Sequence, residues 1–259
     1  MDIDFECTMC GKCCHDLRLP LTVTEALTWL ERGNDVQIIC EALPWPEEPP
    51  ADNLPVAHKR RRSFAAMSGT LPTRIIVTLA ATHAGRCPNL QSDMRCGIYE
   101  QRPLVCRIYP AEINPFIALT PTHKACPPEA WTPGLQPLLR AGKLVDADTQ
   151  ALIQRSRDAD ANDLPIRQQV CALLGIDQAA VSNEGFVAYA PARGDLLTAL
   201  RRARDEPVAP ALPPTWHFVS NRQATVDVLV SVGALSSLVD AGHSRTATFE
   251  YLGLLPASH

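Results

Sequence analysis

Near its start the chain reads Phe5-Glu6-Cys7-Thr8-Met9-Cys10-Gly11-Lys12-Cys13-Cys14-His15, which places four cysteines and one histidine within nine residues. Spacing of the Cys-x-x-Cys type brings two sulfurs to one point, because the residues between them form a tight turn. Thiolates bind zinc and iron tightly. This stretch therefore predicts a metal centre.

A second group of cysteines follows much later in the chain, at Cys87, Cys96, Cys106 and Cys126. Eight thiolates around one divalent ion would repel one another strongly, so this number of sulfurs favours two sites, or one polynuclear cluster with spare thiols. The spacing of Cys7, Cys10 and Cys13 is typical of runs that hold iron–sulfur clusters, in which a further ligand often comes from a distant position. Both an iron–sulfur cluster of the 4Fe-4S type and zinc fit the pattern.

The composition bounds the class of protein and its surroundings. A chain of 259 residues with 46% hydrophobic content can bury a core, and a net charge of -4 gives no electrostatic attraction to nucleic acid or anionic lipid. The acidic start lacks the apolar region of a secretory signal, and no apolar run is long enough to cross a bilayer. We expect a cytoplasmic protein, in which grouped cysteines are more often metal ligands than disulfides.

The first elements after the cysteine loop have clear local signals. Thr22 and Glu25 have the spacing of a capping box, and apolar residues recur at helical spacing after it, which predicts a helix over residues 23–32. Val36 to Leu43 is rich in β-branched residues and predicts a strand, and a proline-rich loop follows.

A hairpin is predicted next. Strands from about Lys59 to Met67 and from Thr73 to Ala80 flank the turn signal Ser68-Gly69-Thr70. The basic run at residues 59–62 begins the first of these strands. Its positive charge suits either a phosphate contact or the protection of a solvated edge strand, and the second interpretation is favoured.

The remainder suggests short elements and then helices. Glu100 to Arg107 is compatible with a helical turn, and Phe116 to Leu119 with a short strand. Four helices are predicted near Asp146–Ser156, Pro165–Leu174, Gly194–Arg204 and Arg222–Val239, with a proline-rich loop at 207–214. The expected fold class is α+β, with a small irregular cysteine-rich metal domain over residues 1–130 that has a few antiparallel strands, followed by a mainly helical region over residues 131–259.

Several residues between and beside the cysteines are candidates for binding a cofactor. Arg102 and Arg107 can offset the negative charge of thiolates, bind an anion or bond backbone carbonyls. Tyr99 is expected to shield the centre from water and oxygen. Cys40 and Cys171 lie in apolar surroundings and are expected to pack in the core.

Three histidines lie near the cysteines in the sequence, namely His15, His83 and His123. Each could act as a ligand, support a ligand by a hydrogen bond or lie in solvent. The motifs of nucleotide hydrolases, dinucleotide-binding oxidoreductases, zinc proteases, serine hydrolases and radical S-adenosylmethionine enzymes are absent from the sequence. No catalytic residue can be named.

The sequence resembles the CxxCxxCC cysteine-cluster family, also called YkgJ-like, which is assigned to zinc or iron chelation. The resemblance rests on the segments Phe5-x-Cys7-x-x-Cys10-Gly11-x-Cys13-Cys14, Cys87-Pro88-x-Leu90 and Cys96-x-Ile98-Tyr99-x-x-Arg102-Pro103-x-x-Cys106-Arg107-x-Tyr109-Pro110. It implies metal binding at Cys7, Cys10, Cys13, Cys14, Cys87, Cys96 and Cys106, with Cys126 as an eighth ligand. A distant resemblance to flagellin lysine N-methylases implies, by analogy only, a modifying role.

Two functional hypotheses follow. The first is a metalloprotein that modifies a protein or peptide, or transfers electrons, at a centre with spare cysteines. The second is a non-enzymatic module in which zinc holds the fold together and the helical half binds a partner protein. A protein or peptide is the candidate partner, and neither hypothesis needs nucleic acid or a membrane.

Overall fold

A computed structural model of the protein describes residues 1–50, 52–206, 212–239 and 249–257. The chain forms two compact units, each built from two separate stretches. The cysteine-cluster unit comprises Met1–Leu21 and Ala81–Ala159, and the sheet unit comprises Thr22–Ala80 and residues 160–259. These units are defined by spatial contacts between residues. The domain boundary expected after residue 130 was drawn from a change of composition along the chain, and it stays a prediction.

The structure has the α+β character expected from the sequence. The strands are β1 (Ile3–Asp4), β2 (His15–Leu21), β3 (Val36–Pro44), β4 (Phe64–Ser68), β5 (Leu71–Arg86), β6 (Pro137–Arg140), β7 (Lys143–Leu144), β8 (Gln178–Val181), β9 (Gly185–Tyr189), β10 (His217–Ser220), β11 (Ser236–Leu238) and β12 (Glu250–Gly253). The helices are α1 (Val23–Glu31), α2 (Leu54–Arg61), α3 (Leu104–Ile108), α4 (Ala147–Asn162), α5 (Leu164–Leu174), α6 (Arg193–Asp205) and α7 (Gln223–Ser231).

A mixed sheet forms the centre of the sheet unit, with the neighbouring order β11-β10-β8-β3-β5. β8 is parallel to β3 and β10, and β10 is parallel to β11. Parallel neighbours need long crossover connections, and here α6 lies between β8 and β10 and α7 lies between β10 and β11. β9 is antiparallel to β3 and β12. Buried apolar side chains such as Ile38, Val77 and Phe218 form the core.

The predicted capping box at the start of α1 is confirmed. Thr22 Oγ1 accepts from the backbone N of Glu25 over 3.2 Å, and Thr22 N donates to Glu25 Oε2 over 2.9 Å. These two bonds satisfy donors that a helix start leaves free. The buried residues of α1 include Val23, Ala26 and Leu30, as their helical spacing predicts.

The predicted hairpin is also confirmed. β4 and β5 pair antiparallel, with Ser68 opposite Leu71, so the loop is Gly69-Thr70. Gly69 has a φ of +57°, which few other residues tolerate. The hairpin register follows from this short turn.

The strand predicted to begin at Lys59 is wrong over its first part. Residues 54–61 form α2, because Asn53 caps the helix by accepting from Val56 N over 3.3 Å and Pro55 fits the first turn. The strand begins only at Phe64. The basic run therefore lies at the end of a helix and does not begin a strand.

The four helices predicted in the C-terminal half are confirmed as α4 to α7, with one change of length. The segment predicted as Arg222–Val239 is helical only to Ser231, because the backbone turns at Gly233, where φ is +81°. Residues 236–238 then form β11. Residues 116–119, expected to form a strand, are irregular. The predicted loop at 207–214 lies outside the described residues over 207–211.

Two small cores organise the cysteine-cluster unit. Ile3, Leu119 and Leu138 are buried together, so that β1 is held against β6 and the loop before Cys126. Leu104 and Ile108 of α3 pack with Ile153 of α4. No helix in the described ranges is long and apolar enough to span a bilayer.

Candidate metal centre

The first four cysteines lie on the loop of residues 7–14, between β1 and β2. The chain that enters this loop is fixed by Phe5, whose ring centroid lies 4.8 Å from that of Trp131 and whose N donates to Gln136 O over 2.9 Å. Glu6 N donates to Ala130 O over 3.0 Å. The loop therefore starts from a packed point, although Cys7 is exposed.

A backbone hydrogen bond connects the two cysteine quartets. The first quartet is Cys7, Cys10, Cys13 and Cys14, and the second is Cys87, Cys96, Cys106 and Cys126. Cys87 N donates to Cys14 O over 2.8 Å. Gly11 has a φ of +67°, and a Cβ atom there would lie 2.8 Å from the carbonyl oxygen of Met94. The loop of residues 7–14 therefore lies directly against the loop that carries Cys87 and Cys96, and only glycine at position 11 fits this close approach.

The loop between Cys87 and Cys96 is closed by backbone hydrogen bonds. Leu90 and Cys96 form an isolated antiparallel bridge, and Gly97 N donates to Asn89 O over 2.7 Å. Leu90 is 8% exposed and anchors the loop. Cys87 and Cys96 are both partly buried on this one loop.

Cys106 lies on α3, a helix of one turn. Its N donates to Pro103 O over 3.0 Å, and α3 packs against β2, the strand that follows Cys14. Burial raises the pKa of Cys106 to about 12, and the charges of Cys13 and Cys87 add to the effect. This cysteine is thus held inside the unit close to members of both quartets.

Cys126 is positioned by Tyr109, which directly follows α3. The Tyr109 hydroxyl accepts from Ala125 N over 2.8 Å. Burial raises the pKa of Cys126 to about 11, and a hydrogen bond with Tyr109 opposes this rise. Lys124 adds an ion pair with Glu112 over 2.5 Å. These contacts fix a loop that otherwise has little regular structure.

Cys13 and Cys14 form a closely spaced pair of thiols with 4.0 Å between their Sγ atoms. A hydrogen bond from Cys14 lowers the pKa of Cys13 to about 7, and the positive charge of Arg102 contributes. The same hydrogen bond and burial raise the pKa of Cys14. Cys13 is therefore the pair's thiolate near neutral pH, and thiolates are the form that binds metals.

The charges of the thiols connect all eight cysteines. The charges of Cys87 and Cys106 raise the pKa of Cys14, after the larger effects of its bond with Cys13 and of burial. Cys96 acts in the same direction on the pKa of Cys106. The pKa of Cys126, raised chiefly by burial, is raised further by the charges of Cys13, Cys7 and Cys10. Like charges interact this way only at short range.

The predicted cofactor-binding residues are Tyr99, Arg102 and Arg107, and Arg102 contacts Tyr99. Its guanidinium lies 3.7 Å from the ring centroid of Tyr99, and its Nε donates to Tyr99 O over 2.9 Å. Its charge favours the thiolate of Cys13. Tyr99 is 39% exposed, so its ring supports Arg102 at the surface. Arg107 is exposed on α3.

Cys40 and Cys171 belong to the sheet unit and are buried, as expected for core residues. They are 0% and 1% exposed, respectively. Burial raises the pKa of Cys40 well above its ordinary value, and a hydrogen bond with Cys171 adds to the rise. Both behave as small apolar residues.

The donor set fits a thiolate-bound metal. All ten cysteines are free thiols, so none of the eight is used in a disulfide. Among the residues that the structure describes, however, no three Cys, His, Asp or Glu side chains already converge on a point that could hold an ion. The thiols are gathered in one unit, and ligation requires their side chains to converge and to lose their protons.

Some residues that shape this region were not identified from the sequence. Met94 meets Gly11 through its backbone carbonyl, which a residue pattern does not reveal. Glu112 and Lys124 pair across 12 positions, and no local spacing indicates that contact. Gly11 itself is the one available signal, because glycine among metal-binding cysteines often marks a close backbone approach.

The eight gathered thiols make this region a cysteine-rich unit that is similar to a known family of metal-chelating domains. Residues 6–127 match the model of the CxxCxxCC family, described as a "putative zinc- or iron-chelating domain". The resemblance drawn from the sequence is thereby confirmed over that region. No curated protein and no solved structure matched the chain.

Proposed function

We propose that the protein holds an iron–sulfur cluster or zinc through thiolates supplied by both cysteine quartets. The observation that carries the proposal is the backbone hydrogen bond from Cys87 to Cys14, which joins the two groups within one unit. The match to a zinc- or iron-chelating family supports metal binding in general. An iron–sulfur cluster would supply one-electron chemistry, and zinc would supply a redox-inert cross-link.

The contacts among the thiols suggest which cysteines act together. Cys14, Cys87, Cys96 and Cys106 form one set, connected by the backbone bond and by their charges. Cys7, Cys10 and Cys126 form a second set. Cys13 interacts with members of both. This arrangement supports two adjacent sites or one polynuclear centre, since eight thiolates exceed what one ion needs.

Metal analysis of anaerobically prepared protein tests the proposal. A cubane cluster predicts about four irons and four acid-labile sulfides per chain, with an absorption band that bleaches on reduction. Structural zinc predicts about one or two ions per chain and a colourless protein. Protein that binds neither metal above trace amounts would refute the function.

A pair of variants separates specific ligation from general effects. Cys106→Ser removes a thiol of the first set and should lower the bound metal markedly. Cys171→Ser removes a buried thiol of the sheet unit and should leave the metal content unchanged. Equal metal content in both variants would exclude Cys106 from the centre.

A non-enzymatic interaction module is a second candidate, and the exposed apolar residues of α7 favour it. Val228 and Val230 are 63% and 57% exposed, and Val232 at the end of the helix is 51% exposed. Exposed apolar groups of this kind are typical of surfaces that bind partners. This function predicts zinc as the metal and unfolding upon chelation. Circular dichroism that does not change when zinc is removed would reject it.

A further inference from the structure

His83 is a partly buried residue of the cysteine-cluster unit that the thiolate centre does not use. Its ring nitrogens Nδ1 and Nε2 are both buried and both lack a hydrogen-bond partner. Leaving buried polar atoms unpaired costs free energy, so native proteins usually satisfy them with a partner or a ligand. His217 leaves only its Nε2 in this state, whereas His83 leaves its whole hydrogen-bonding capacity unused.

A carboxylate and a second imidazole lie beside His83. Asp16 Oδ1 accepts from Gly85 N over 2.5 Å, which places Asp16 next to the end of β5 that carries His83. Asp16 has a φ of +51°, a conformation that residues other than glycine seldom adopt and that is often found at functional sites. His15 is its neighbour in the chain.

The electrostatics agree with this placement. Burial lowers the pKa of His83, the charge of Asp16 opposes the fall, and the charge of His15 adds to it. Each of the two residues is therefore close enough to affect the imidazole. The direction of this shift in pKa favours the neutral imidazole, which is the form that binds metals.

We propose that His83, His15 and Asp16 form a second cation site with nitrogen and oxygen donors, which takes a divalent ion of the zinc or ferrous class. Two imidazoles and one carboxylate are a donor set that these ions accept, and such a set leaves coordination positions open for water or a substrate. The thiolates of the proposed function supply a different donor chemistry, so this site does not depend on them.

The site closes upon binding. Among the described residues no three such side chains converge on one point already, so the two imidazoles must turn toward the ion. Rotation about the side-chain torsions of a histidine is a small movement between staggered states. The ion would then provide the partner that His83 lacks.

Cobalt titration of anaerobic, metal-free protein tests the site, because cobalt reports its ligands. Thiolate ligands give an intense ligand-to-metal charge-transfer band, whereas nitrogen and oxygen ligands give only weak d–d bands. Wild-type protein should show both. The variant His83→Gln should lose about one equivalent of cobalt and keep the charge-transfer band. His58→Gln, which changes a histidine on α2 in the sheet unit, is the matched control and should lose none.

A His83→Gln variant that binds as much cobalt as wild type would overturn the proposal. Asp16→Asn provides a second test, because it should weaken the same equivalent. If circular dichroism shows that His83→Gln is misfolded, the Asp16→Asn variant tests the site instead. Unchanged cobalt binding in Asp16→Asn would then overturn the proposal. Failure of the thiolate function looks different: the charge-transfer band is missing from wild type, while the weak bands that depend on His83 remain.

Discussion

Replacing Gly11 by alanine should destabilise the cysteine-cluster unit because two costs combine at this residue. Its φ of +67° lies in the left-handed region, where a residue with a Cβ costs about 1–2 kcal/mol. The new Cβ would also lie 2.8 Å from the carbonyl oxygen of Met94, and overpacking of this kind costs about 1–3 kcal/mol. We expect the free energy of unfolding to fall by about 2–5 kcal/mol in total.

Gly142→Ala is the matched control for this substitution. Gly142 belongs to the same unit and has a φ of +74°, but no atom lies within 4 Å of the position that its new Cβ would take. It should therefore carry only the conformational cost of about 1–2 kcal/mol. Urea unfolding of metal-free protein, followed by circular dichroism, measures both.

The difference between the two variants isolates the contact between the cysteine loops. Gly11→Ala should also lower metal uptake, because the loop of residues 7–14 must move away from the loop that carries Cys87. If Gly11→Ala and Gly142→Ala lower the free energy of unfolding equally and retain the same metal, the close approach at Met94 has no energetic importance and the reasoning is refuted.

Other predictions test separate contacts. Cys14→Ala removes the hydrogen bond that lowers the pKa of Cys13 to about 7, so that pKa should rise in metal-free protein. The alkylation rate of Cys13 at pH 7, measured by mass spectrometry of the modified peptide, should then fall several-fold. An unchanged pH profile of alkylation would contradict this prediction. Tyr109→Phe leaves the amide of Ala125 without its acceptor and should cost about 1 kcal/mol, with faster hydrogen exchange at that amide; unchanged exchange would show that the bond is unimportant. Thr22→Ala should lower the free energy of unfolding by about 1 kcal/mol in a denaturant titration, and a loss near zero would mean that the capping box adds nothing.

The signals that predicted structure correctly were local. Thr22 and Glu25 are three residues apart, and the hairpin turn at Gly69 needs only its own backbone geometry. The strand predicted to begin at Lys59 was wrong because a local helix signal precedes it. Asn53 and Pro55 start a helix ahead of the basic run, and this helix signal lies before the segment that was interpreted as a strand.

Strands in the C-terminal half were missed because their partners are far away in the sequence. β8 pairs with β3 at Ala180 and Glu41, a separation that no local pattern indicates. The same applies to β10, a short strand between α6 and α7, and to β11, a short strand that follows α7. Pairing with distant strands, rather than strong local propensity, stabilises them.

The amino-acid sequence by itself indicated metal binding by thiolates, because cysteines at Cys-x-x-Cys spacing bring thiols together through the turns between them. It also determined the burial of Cys40 and Cys171, whose apolar neighbours are adjacent in the chain. Only the tertiary structure decided that Cys14 lies against Cys87 and that Asp16 lies beside the strand of His83. These contacts join residues about 70 positions apart, and their energy depends on the packing of β2 beside β5, which chain-local rules do not contain.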